Sequence, residues 1–71
     1  MYCMKCSNAM TTLQKDGPEV NELNVCTFCG AIVFKTEVEG KSFLSYGGTL
    51  EGSKSAKQFI DTMIDVVGYR Y

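Results

Sequence analysis

The residues of this chain best equipped for chemistry are its four cysteines, which fall into two pairs. Cys3-Met4-Lys5-Cys6 and Cys26-Thr27-Phe28-Cys29 are separated by positions 7–25, giving C-x2-C-x19-C-x2-C. Two intervening residues let the backbone turn tightly with both sulfurs on one side, while amides within the turn reach the thiolates. Two such turns set face to face supply a closed tetrahedron with Zn–S bonds of ~2.3 Å. Gly30 follows Cys29 directly and suits a backbone that must turn with positive φ. Ser7-Asn8 follows the first pair, and Asn is the next most tolerant residue there. The spacing predicts one structural Zn2+ ligated by Cys3, Cys6, Cys26 and Cys29. Four thiolates leave no position for water or substrate, so these cysteines are ligands rather than catalysts.

Four thiols have other fates open to them. The chain starts Met1-Tyr2-Cys3, without room for a charged segment, an apolar segment and a cleavage site. No apolar run approaches the ~18 residues of a membrane span. The expected location is therefore cytoplasmic, where thiols stay reduced and two structural disulfides are disfavoured. A thioredoxin-like redox pair would need a βαβ context that is missing. Iron also accepts four sulfurs, which leaves a rubredoxin-like electron carrier as an alternative.

Composition narrows the field further. At 71 residues the chain is one domain. A domain this small buries only about 60% of the surface of its unfolded chain, so a metal staple answers a physical need. It has no His, which removes Ser–His–Asp and Cys–His couples, haem His ligation and HExxH proteases. With 45% hydrophobic and 21% charged residues it is not intrinsically disordered. A net charge of −1 gives no basic footprint for nucleic acid or a membrane surface.

The elements that must position the cysteines are short. Ala9–Gln14 can form a strand, Lys15-Asp16-Gly17-Pro18-Glu19 reads as a turn, and Val20–Val25 leads into the second pair. Ala31–Val38 is the clearest strand, with Ile32, Phe34, Thr36 and Val38 on one face and Lys35 and Glu37 on the other. Glu39-Gly40 makes a tight hairpin with Gly40 at positive φ. Lys41–Tyr46 returns antiparallel, and Gly47-Gly48 ends it.

Residues 53–68 change character. Ala56, Phe59, Ile60, Met63, Ile64 and Val67 recur with helical period, Ser53 or Ser55 is placed as N-cap, and Gly68 as the stop. The amphipathic helix spans about 54–67 and either packs on the sheet or serves a partner or a second copy as a dimer surface. Tyr69-Arg70-Tyr71 reads as a fraying tail or, with two aromatics around an Arg, as an interface anchor.

With its two knuckles, Cys3-Met4-Lys5-Cys6 and Cys26-Thr27-Phe28-Cys29-Gly30, and the β-rich run that follows, the chain resembles the zinc-ribbon (rubredoxin-like) family over residues 1–46. The resemblance implies one zinc clamped beside a three-stranded antiparallel sheet. It also implies kinship with modules of RNA polymerases, transcription factors, ribosomal proteins and topoisomerases. The expected fold is a small α+β metal-bound domain, 1–71, with a ribbon and hairpin over 1–46 and a C-terminal helix over 53–68.

The expected function is non-enzymatic: an adaptor or regulator that binds a protein of the transcription or translation machinery, such as RNA polymerase. The alternative is single-stranded nucleic-acid binding, with Phe28 in a knuckle, Phe34 and Phe43 on neighbouring strands or Tyr46 stacking on bases and Lys5, Lys35 and Lys41 gathered nearby. Against it, all seven basic residues are interleaved with acids. Transcript-cleavage factors of the family carry adjacent acids at a hairpin tip. Here Asp16 and Glu19, and likewise Glu37 and Glu39, are separated, so no catalytic residue is assigned.

Overall fold

A computed structural model describes residues 1–15 and 20–71, with the Val20 side chain left aside. Four strands form one antiparallel sheet in sequence order: β1 (Thr11–Lys15), β2 (Val20–Val25), β3 (Ala31–Val38) and β4 (Lys41–Thr49). The helix α1 (Gly52–Thr62) follows and ends in a π-helical turn, Met63–Val67. The small α+β architecture is as expected, but the sheet has four strands where three were predicted. The added strand is β2, read from sequence as a lead-in to the second knuckle. It pairs with β1 through Leu13↔Leu23 and with β3 through Leu23↔Phe34 and Val25↔Ile32. Leu23 and Val25 are fully buried, and only a strand places both on one face at period two. The Asp16-Gly17-Pro18-Glu19 turn lies outside the described residues.

The sheet has two unlike faces. On the helix face Leu13, Leu23, Val25 and Ile32 bury against Ala56 and Ile60, with Phe34, Phe59, Met63 and Ile64 at the margin. On the knuckle face Met10, Ala31 and Val33 pack around the cysteines. The alternation predicted for β3 is the physical basis of this division, since Ile32 and Phe34 face the helix while Val33 faces the knuckles.

Two boundaries differ from the sequence reading. β4 runs on past Tyr46 to Thr49, because Ile32 pairs with Gly48 and Val33 with Tyr46, leaving Gly47 as a bulge. A Cβ on Gly47 would lie 2.6 Å from the Phe34 ring, so the ring takes the space a side chain would need. The helix starts at Gly52, with Glu51 rather than Ser53 or Ser55 as N-cap and no side-chain cap bond. Gly52 has φ +80°, which carries the chain straight from β4 into the helix. At the other end Gly68, at φ +96°, is the expected stop, and the wider π-helical turn carries Val67 off the apolar stripe into solvent.

The tail does not fray. The Gln14 N–H donates to the Arg70 carbonyl at 2.6 Å, the Arg70 N–H donates back at 2.8 Å, and Tyr69 packs on the helix-face core. Lys15 Nζ lies 5.9 Å from the centroid of the Tyr69 ring. The outer edge of β1 is thereby bridged at Gln14. At the hairpin, Glu39 (φ +52°) joins Gly40 (φ +77°) in the left-handed region, the pattern of a type I′ turn that matches strand twist.

Candidate metal centre

The four predicted ligands converge. The sulfur atoms of Cys3, Cys6, Cys26 and Cys29 all lie within 4.8 Å of one another. Cys3 Sγ is 3.3 Å from Cys29 Sγ, and Cys6 Sγ is 3.4 Å from Cys26 Sγ. A zinc-sized tetrahedron with ~2.3 Å bonds needs S···S separations of about 3.8 Å, which falls inside this range. The cluster is zinc-ribbon-like and could hold one metal ion.

The two knuckles use one backbone design twice. Ser7 N–H donates to the Cys3 carbonyl (2.9 Å) as Gly30 N–H does to the Cys26 carbonyl (2.8 Å). Cys3 N–H donates to the Asn8 carbonyl (2.8 Å) as Cys26 N–H does to the Ala31 carbonyl (2.9 Å). The left-handed position after each pair is Ser7 (φ +62°) and Gly30 (φ +86°), so Ser7 rather than Asn8 takes the strained role in the first knuckle. Gly30 is needed for a second reason: a Cβ there would lie 2.3 Å from the Leu50 carbonyl oxygen, against which the second knuckle is held.

Donors aimed at the sulfurs set their charge. Lys5 N–H reaches Cys3 Sγ at 3.4 Å, Cys29 N–H reaches Cys26 Sγ at 3.5 Å, and the Asn8 side-chain amide donates to Cys6 Sγ at 3.3 Å. The backbone and side-chain amides of Asn8 hold the Cys6 thiol down to about 6. The Cys6 and Lys5 amides likewise lower Cys3. At Cys29 the Ala31 amide favours the thiolate, but the neighbouring thiols and burial prevail and push it up to about 12. Four thiols this close cannot all ionise without a compensating cation, and a divalent ion supplies that compensation while displacing the remaining protons. Asn8 as a sulfur donor was missed from sequence; its place two residues beyond Cys6 was the available signal.

A second cluster adjoins the first. Lys5 Nζ donates to Thr49 Oγ1 at 3.0 Å and lies 5.2 Å from the centroid of the Tyr46 ring. The Tyr46 and Thr49 hydroxyls share a hydrogen bond. Hydrogen bonding and charge at this contact lower the Tyr46 phenol and raise the Lys5 ammonium from their ordinary values. Lys5 so ties the first knuckle to β4. Between them lies a groove of about 410 Å³, lined by Tyr2, Met4, Val33, Leu44 and Tyr46 among others.

The aromatic residues weighed for base stacking are divided by the fold. Phe34 belongs to the helix-face core, whereas Phe43 and Tyr46 are exposed. Of the three lysines, Lys5 and Lys35 share the knuckle face, while Lys41, paired with Val38, falls on the other. Glu37 and Glu39 remain exposed at the hairpin. Among the described residues no helix is long and apolar enough to cross a membrane. The chain matches no protein-family model, no curated protein and no solved structure.

Proposed function

We propose that this chain is a zinc-stabilised, non-enzymatic adaptor that docks a protein partner on its knuckle face. The observation that carries the reading is the pairing of a closed four-sulfur site with a neighbouring apolar surface. Met4, 99% exposed, and Tyr2, 73% exposed, project beside the groove that Lys5 holds against β4. A four-thiolate site offers no open coordination position and so serves the fold. An exposed apolar patch on so small a domain points to recognition. The zinc-ribbon resemblance directs the partner towards transcription or translation machinery, with RNA polymerase first.

The test has two arms. Purified chain should contain one zinc and be colourless, whereas a red, visibly absorbing preparation means iron and an electron carrier. Tagged zinc-loaded chain should retain RNA polymerase from host extract, and Tyr2→Ser with Met4→Ser should lose it while keeping the fold. Equal retention by the double variant overturns the docking face. The Lys5–Tyr46 contact, with Tyr2 nearby, favours single-stranded nucleic acid as the second reading. Its mark would be binding to oligonucleotides that weakens steeply with salt.

A further inference from the structure

The two edges of the sheet are treated differently. β1 is bridged at Gln14 by Arg70 of the C-terminal tail. Among the described residues no strand pairs with the outer edge of β4, although it is the longest strand of the sheet at nine residues. Edge strands are ordinarily blunted by proline, by inward charges or by an early bulge. β4 has no Pro, its single charge is Lys41 at the start, and its bulge comes only at Gly47. Between these limits Phe43 (55%), Leu44 (60%) and Tyr46 (58%) stand exposed, with Phe43 on the helix face and the other two on the knuckle face. Apolar side chains on both faces of an open edge suit continuation of the sheet rather than contact with water.

We infer that β4 pairs antiparallel with β4 of a second copy, about a two-fold axis at Leu44, to make one eight-stranded sheet. Side-chain parity allows only registers in which residues on the same face meet. Pairing about Leu44 sets Leu44 against its own symmetry mate, Phe43 against Ser45, Ser42 against Tyr46 and Lys41 against Gly47. The regular part of the strand is thus used up just as the bulge begins. Charge favours a second copy as the occupant. The hairpin tip, with exposed Glu37 and Glu39, comes beside Thr49 of the second copy, where Lys5 is held. The two-fold axis repeats this acid-to-lysine approach at both ends. The charged neighbours in the central row are Lys35 and Glu22, paired with each other across β2 and β3. Lys35 of the two copies would stand three strand spacings apart, about 14 Å, beyond the screening length at physiological salt.

Sedimentation and native mass spectrometry of the zinc-loaded full chain test this. The expected species has twice the 7.8 kDa chain mass. Leu44→Lys sets two ammonium groups against each other at the axis and should leave a folded monomer, with its dissociation constant raised at least 100-fold. Val66→Lys, on a residue 77% exposed at the far end of the helix, should leave the dimer unchanged. Hydrogen exchange gives a reading without any substitution: alternate β4 amides between Lys41 and Tyr46 should be protected at high concentration and open on dilution. A monomer at every concentration overturns the inference, as does a dimer that survives in folded Leu44→Lys. Tyr2→Ser separates this association from partner docking, because it should abolish the latter and leave the dimer intact.

Discussion

The two faces of the sheet solve the same problem, closing a small core, by opposite means. The helix face is closed by apolar area: Ala56 and Ile60 are buried on Leu13, Leu23, Val25 and Ile32. The knuckle face has less apolar bulk, with Met10 and Ala31 buried beside the cysteines. It is closed instead by four sulfurs within 4.8 Å of one another, a set that could hold one metal ion. The difference teaches where function can reside. The helix face spends most of its side chains on the core and leaves Phe43 exposed only at the sheet edge, whereas the knuckle face leaves Tyr2, Met4 and Tyr46 free to meet another molecule.

The most severe way to break this balance is to remove the metal. Metal binding in small four-ligand sites carries apparent free energies of ~10–16 kcal/mol, as large as the whole stability of an ordinary domain. Cys26→Ser, or chelation, should therefore unfold both faces together, read as collapse of NMR dispersion. Native-like dispersion in Cys26→Ser would refute the dependence. Ile60→Ala comes next: it opens a cavity on the helix face and should lower stability by ~2–5 kcal/mol in urea unfolding, with metal stoichiometry unchanged.

Asn24→Ala has a smaller expected effect. Asn24 is fully buried, accepting from the Thr12 hydroxyl at 2.7 Å and donating to Glu22 at 3.3 Å. Its removal leaves Thr12 without that acceptor and should cost about 1–3 kcal/mol. Tyr2→Ser is the mildest for stability, within about 0.5 kcal/mol, and should act on partner retention alone. A large shift in its unfolding midpoint would mean that the knuckle face is core after all.

What could be read before the structure follows from how locally each feature is encoded. A C-x2-C knuckle completes its turn within six residues, so Cys3, Cys6, Cys26 and Cys29 were legible as a set. The hairpin at Glu39-Gly40 and the stripe Ala56–Ile64 were legible for the same reason, being patterns of neighbours. β2 was not, because Val20–Val25 shows its alternation only once β1 and β3 supply partners on both sides. Nor was the N-cap: Ser53 and Ser55 have the right chemistry, yet the helix begins where β4 delivers the chain.

The sequence by itself determined the two cysteine pairs of the candidate metal site, the left-handed position at Gly30 and the two periodicities, because each depends on spacing within one segment. Only the tertiary structure decided which aromatics reach the surface, that Lys5 lies against a threonine 44 residues away, and that Arg70 bridges β1 at Gln14 while, among the described residues, no strand pairs with the outer edge of β4. Those outcomes depend on which segments become neighbours, and side-chain chemistry alone does not specify neighbours across such separations. The cysteine knuckle is a local arrangement used twice. The surface it supports is a property of the whole fold.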